Sequence, residues 1–316
     1  MISWRSQAGV AALALVLFFG TARCGMASGL LDAIGIENQY ANIIQQIGGN
    51  FVSVTAIITN PNTDPHTFEV SPKIVSKIMS ASLVVENGLG YDAWANKIIE
   101  AALGRRRKII NVQHLLGLPN STPNPHLWYD PKAISAVAKA IAADLTTLDP
   151  THAAFFNDRL RRFDESLRAW MAAINSFKAR YPDTPVAVTE PVANYMLQAL
   201  GTRIETPFSL QLAIMNGTDP SPQDIAAENA LLREHKVKAL VYNRQVMTPL
   251  TESFLNTAKK SGIPVVAVYE TMPTPGYDFQ SWMRAEIQAL TKAVAMGTST
   301  ESLLPASESP PPGRLF

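Results

Sequence analysis

Two histidines and two glutamates stand where apolar, β-branched runs break off. After FVSVTAIIT (51–59) the chain reads Asp64-Pro65-His66-Thr67-Phe68-Glu69, and after KIINV (108–112) it reaches Asn124-Pro125-His126-Leu127-Trp128. PVAVT (185–189) runs straight into Glu190-Pro191, and IPVVAVY (263–269) into Glu270. Parallel strands place ligand-binding groups just beyond their carboxyl ends. Together, two imidazoles and two carboxylates form a tetradentate set suited to a divalent transition metal, and two negative charges cancel the 2+ of the ion. The same residues have an ordinary reading. A histidine in a proline-flanked loop is usually a surface or turn residue. A glutamate closing an apolar strand needs a partner, whether a cation, an arginine or a helix N-terminus, because burying it bare costs several kcal/mol. The other histidines look less useful: His114 opens an apolar turn, His152 sits in the first turn of a helix, and His235 ends one.

These residues need a scaffold of alternating strands and helices. FVSVTAIIT, SLVVE (82–86) and KIINV read as strands, with helices over 72–80 and 92–103 between them. Pro72 suits a first helical turn, where its missing N–H costs nothing. From Pro131 to Arg180 only helical periodicity remains, divided at Asp149-Pro150. The second helix, about 30 residues, carries Phe155, Phe156, Leu160, Phe163, Leu167, Trp170, Met171 and Ile174 on one face. Its other face mixes Arg159, Arg161, Arg162, Asp164, Glu165 and Arg168, a solvated surface. Strands then resume at 185–189, 237–242 and 263–269, with helices at 194–200, 222–235, 250–261 and 277–296. The fold class is α/β: two lobes, each with a mainly parallel sheet flanked by helices, joined by a long rigid helix. The expected divisions are a signal peptide (1–27), an N-terminal lobe (28–148), the connecting helix (149–180), a C-terminal lobe (181–297) and a disordered tail (298–316).

The 316 residues carry 27 basic and 26 acidic side chains, one cysteine and 47% hydrophobic residues. A formal charge of +1 argues against a nucleic-acid partner, which selects a basic surface. Residues 8–19 form an uncharged apolar run behind Arg5, too short for a bilayer span of roughly 20 residues but suited to a secretory signal. Gly25-Met26-Ala27 places cleavage after Ala27. Arg23 before Cys24 disfavours a lipid anchor. Removing residues 1–27 takes away Arg5, Arg23 and the one cysteine, leaving 25 bases against 26 acids. Any metal site must then be built from histidine and carboxylate.

DPHTFE (64–69), NGLGYDAW (87–94), NPHLWYDP (124–131) and TEP (189–191), followed by YNRQV (242–246) and YET (269–271) with Trp282, resemble the zinc/manganese receptors of bacterial ABC transporters, the TroA-like superfamily. The resemblance runs from about Ile36 to Met296 in the right order. It implies a periplasmic or surface receptor that holds Zn2+ or Mn2+ in the cleft between the lobes and hands it to membrane permease subunits. The two-His, two-carboxylate donor set adds Fe2+ as a candidate, and a periplasmic monomer is the expected state. Carried over by position, its metal ligands match His66, His126, Glu190 and Glu270. The chain departs from the family in lacking a histidine-rich acidic loop before His126. It is also short ahead of Phe51, so the first sheet either loses an edge strand or uses residues 35–38 for it. Asp64 or another carboxyl is a candidate to orient a ligand imidazole. Asn243 and Gln245, at a strand end facing the same cleft, are candidates for hydrogen bonds around the ligands, with loop capping as the alternative. The chain is not read as an enzyme: it has no HExxH, Gly-x-Ser-x-Gly or cysteine-nucleophile motif. The competing readings are an exported metallo-hydrolase, which needs an open metal position and a base, and a surface adhesin with a structural metal.

Overall fold

The computed structural model describes Met1 and residues 29–62, 64–102 and 107–304, with the His66 side chain also outside what it describes. The signal-peptide reading, the cleavage after Ala27 and the question of Cys24 therefore lie outside the described residues.

The first sheet is built from β1 (Leu31–Glu37), β2 (Val52–Ile58), β3 (Leu83–Glu86) and β4 (Lys108–Asn111), in the order β2-β1-β3-β4 and parallel throughout. The opening strand is thus present and central. It starts earlier than residues 35–38 because LDAIGIE buries almost its whole length between two neighbours. Helix α1 (Asn38–Gly48) follows without a loop. That tight return requires Gly35: a Cβ there would lie 2.2 Å from the Ala41 backbone nitrogen. Helices α2 (Pro72–Ser80) and α3 (Ala93–Ala101) complete the crossovers, and the short α4 (Val112–Leu115) leaves β4.

Helix α5 (Pro131–Leu148) leads through a turn at Pro150–His152 into α6 (Ala153–Arg180). Phe156, Phe163, Leu167, Trp170, Ile174 and Phe177 are buried along α6, which packs against α1, α5 and α11 (Phe279–Met296) and so touches both halves of the molecule. Met171, expected on the apolar face, is instead exposed: Trp170 takes the core position, and the next residue is turned about 100° away. The outer face carries exposed i,i+3 and i,i+4 ion pairs from Arg161 and Arg162 to Asp158 and from Arg161 to Glu165.

The second sheet repeats the first. Strands β5 (Pro185–Val188), β6 (Arg203–Ile204), β7 (Leu240–Asn243) and β8 (Val265–Val268) lie in the order β6-β5-β7-β8, all parallel. Helices α7 (Asn194–Ala199), α8 (Phe208–Met215), α9 (Pro222–Arg233) and α10 (Pro249–Lys260) connect them. Proline at the first helical position follows a capping side chain at Ser71, Asp130, Ser221 and Thr248, so these starts are written locally. Residues 299–304, expected as part of a disordered tail, pack against the protein. Thr300 bridges to Val266 at the sheet edge, Glu301 pairs with Lys259, and Leu304 is buried. Residues 305–316 lie outside the described residues.

Each sheet has a switch point where the strand order reverses, between β1 and β3 in one and between β5 and β7 in the other. Such points open a crevice beyond the strand ends. Glu37 and Asn87 sit at the first, and Glu190 and Asn243 at the second.

Candidate metal centre

Among the candidate ligands, Glu270 stands against His126 and shares the Asn243 amide with Glu190. His126, Glu190 and Glu270 are 0%, 3% and 0% exposed, so bulk water cannot solvate the two carboxylates. His126 Nε2 lies 3.4 Å from Glu270 Oε2. The Asn243 amide donates to both carboxylates, at 3.1 Å to Glu190 Oε2 and 2.6 Å to Glu270 Oε1. Its own Oδ1 accepts the Gln245 N–H at 3.0 Å. Gln245 Oε1 in turn accepts the backbone N–H groups of Glu270 and Thr271, at 2.7 and 2.9 Å. Asn243 therefore gathers the two acids, and Gln245 fixes the backbone that carries one of them. Both candidates named from sequence stand beside the cluster.

His66 lies in a 3-10 turn, Pro65–Thr67, closed by Thr67 N and Oγ1 on the Asp64 carbonyl. Phe68 anchors this loop on Trp94, with ring centroids 4.9 Å apart. Asp64 and Tyr91 line a cleft of about 720 Å3 together with Pro125, Ile214, Met215 and Val246, so its walls come from both halves of the chain. Among the described residues, no three His, Cys, Asp or Glu side chains already stand as a metal-chelating group. The His66 imidazole belongs to the undescribed part.

The partner of His126 Nδ1 is an amide and not a carboxyl. Asn124 Oδ1 lies 2.7 Å from Nδ1. Asn124 was missed as a contributor, although Asn two residues before an N–H, with proline between, is ordinary Asx-turn chemistry. Below it, Asn87 donates to the Pro125 carbonyl at 2.7 Å and accepts from Tyr40 at 2.7 Å. Asp92 accepts the N–H groups of Asn87 and Gly88 at 2.6 and 3.0 Å. The motif at 87–94 thus supports the backbone of His126. Burial, then the Glu86 charge, pushes Asp92 up to about 7, and burial with the neighbouring Asp92 raises Glu37 well above the carboxylate range. The Tyr91 hydroxyl is raised by burial, then by the Glu270 and Glu37 charges.

Side chains of the first half hold the backbone of the second at each acidic turn. Asn38 pairs with the Met272 backbone at 2.8 and 3.0 Å, and Gln39 donates to the Glu270 carbonyl at 3.2 Å. Asn124 donates to the Pro191 carbonyl at 2.8 Å, beside Glu190. Tyr129 lies 2.8 Å from both the Tyr269 carbonyl and Glu286 Oε1, which also accepts Trp282 Nε1 at 2.8 Å. Burial pushes Glu286 up to about 8.

Two parallel α/β lobes meeting along one long helix, with polar strand ends turned into the cleft between them, define the class of cleft-type solute-binding proteins. The chain belongs to the family of ZnuA, the periplasmic component A of zinc-uptake complexes, whose model matches residues 37–293. It is similar to the manganese-binding lipoprotein MntA of Bacillus subtilis, 25% identical over 89% of this chain and 98% of that protein. The iron-binding protein YfeA of Yersinia pestis is 24% identical over 62% of this chain and 64% of its own length. The fold matches the periplasmic zinc-binding protein TroA from Treponema pallidum with a TM-score of 0.70 at 18% identity, over 85% of this chain and 100% of that one.

Proposed function

We propose that this chain is an extracytoplasmic receptor that captures a divalent transition metal, zinc or manganese with iron as a further cargo, and delivers it to the membrane permease of an ABC importer. The ligands are His66, His126, Glu190 and Glu270, and the chain is not an enzyme. One observation carries the reading. Two ligand atoms about 2.0–2.2 Å from one tetrahedral ion stand about 3.3–3.6 Å apart, and His126 Nε2 and Glu270 Oε2 stand at 3.4 Å. A direct ion pair closes to about 2.7–2.9 Å.

The cargo enters a site whose carboxylates are already gathered by Asn243, and their two charges neutralise the ion. Metal therefore relieves the mutual repulsion of two buried acids, which suits a site that waits without cargo. The chain works as an exported monomer, cleaved after Ala27 and carrying no lipid on Cys24. Its units are the lobes at 28–148 and 181–297 around the connecting helix at 149–180, and the second lobe extends through Leu304. The test is elemental analysis of protein purified from its native compartment, with Glu190→His alongside. About one zinc, manganese or iron per chain is expected, with the variant shifted toward zinc. Metal-free protein that also fails to take up either ion at micromolar concentration refutes the proposal. The intact mass of the exported protein checks the cleavage site and the lipid.

A further inference from the structure

The orientation of the Asn124 side chain is fixed twice over. Its Oδ1 accepts the backbone N–H of His126 at 3.1 Å, and a backbone N–H can only donate. Its Nδ2 lies 2.8 Å from the Pro191 carbonyl, which can only accept. Turning the amide over would set two donors and two acceptors against each other, at a cost of several kcal/mol in a buried place. Asn124 is 6% exposed, and its own carbonyl is held by the Tyr195 hydroxyl at 2.9 Å.

The atom facing His126 Nδ1 at 2.7 Å is therefore an oxygen, and Nδ1 must carry the hydrogen. In the neutral ring this leaves the lone pair on Nε2, the nitrogen turned toward Glu270. Free imidazole distributes its proton between both nitrogens. A ligand histidine in the other tautomer must first move that proton before it can bind an ion.

We infer that Asn124 is a positioning residue that locks His126 into the Nε2-donor tautomer and, through the same amide, ties the His126 loop to the Glu190 turn across the cleft. This rests on the proposal that His126 and Glu190 are ligands. One planar group thus sets both the chemical state of a donor in one lobe and its placement against a donor in the other.

The test uses the full exported chain, metal-free and 15N-labelled, at pH 8, where ordinary imidazole is neutral. Long-range 1H–15N correlation spectra report which His126 nitrogen is protonated, with His126→Gln assigning the signals. Wild type is expected to show protonated Nδ1 alone. Asn124→Ala is expected to show a tautomer mixture and a zinc affinity, measured against a chelating dye, lowered 10–100-fold. Asn124→Asp keeps the acceptor and loses the Pro191 contact, so it is expected to keep the tautomer while its affinity falls less than that of Asn124→Ala. A purely structural role would lower the melting temperature of both variants and leave the tautomer unchanged. Protonated Nε2 in wild type, or an unchanged tautomer in Asn124→Ala, overturns the inference, and the wild-type spectrum decides even if a variant fails to fold. A wild-type protein with the expected tautomer that binds neither zinc nor manganese refutes the receptor reading instead.

Discussion

Glu286 offers a quantitative test of how the two halves are joined. The single Tyr129 proton faces two acceptors at 2.8 Å, the Tyr269 carbonyl and Glu286 Oε1. Both contacts are satisfied at once if Glu286 holds a proton and donates it to Tyr129, which then donates to Tyr269. Burial pushes this carboxyl to about 8 from an ordinary 4.5. Below pH 4.5 the folded and unfolded states are both protonated, and the stabilisation is complete. As pH rises toward 8 the unfolded chain releases the proton while the folded protein keeps it, so stability falls by about 1.4 kcal/mol per pH unit. Glu286→Gln cannot titrate. Its oxygen still accepts from Trp282, but the donor toward Tyr129 is gone, a loss of about 1 kcal/mol at every pH. Relative to wild type, the variant should therefore gain about 3–4 kcal/mol between pH 5 and pH 8, starting near parity at pH 5 and ending clearly more stable. Urea unfolding of metal-free protein at the two pH values measures the difference directly. A stability gap that does not move with pH would show that Glu286 is ionised in the folded protein and that the Tyr129 proton is shared.

Glu270→Gln removes one proposed metal donor and one charge from the pair gathered by Asn243. Zinc affinity in a competition titration should fall at least about 100-fold, while the urea midpoint of the metal-free protein stays level or rises because two buried acids no longer repel. Asn38→Ala breaks both bonds to the Met272 backbone and leaves buried polar groups behind, for a loss of about 2–3 kcal/mol in unfolding free energy. Because Asn38 bonds the Met272 backbone and none of the proposed ligand side chains among the described residues, its effect on zinc affinity should be smaller than that of Asn124→Ala.

Much of this arrangement was legible because the strands announce themselves. VVAV and PVAV are apolar at every position, as strands of a buried parallel sheet are, and each is followed two residues on by an acid. The ends of β5 and β8 therefore located Glu190 and Glu270 before any fold was known. Strand β6 was not legible: two residues, Arg203-Ile204, carry no period, and only pairing with β5 defines them. Helix α8 was hidden for the opposite reason, since FSLQLAIM is apolar on nearly every side. Asn38, Gln39 and Tyr129 act through partners more than 100 residues away, and no local pattern marks a side chain that reaches a distant carbonyl. Asn124 was within reach, because its contact with His126 is local, while its contacts with Pro191 and Tyr195 are not.

The segment after α11 has a consequence for how the protein behaves at high concentration. β8 is the last strand of its sheet, and Thr300 lies along it, accepting the Ala267 N–H at 2.8 Å and donating to the Val265 carbonyl at 2.9 Å. Without that strap, VVAV would present an apolar, uncharged margin with open backbone groups, the kind of surface on which a second molecule adds a strand. Chains ended after Gly297 should self-associate where the full chain stays dispersed, as light scattering would show. Seven residues past the final helix thus act as a selvedge, finishing the weave so that it neither frays nor is stitched to its neighbour.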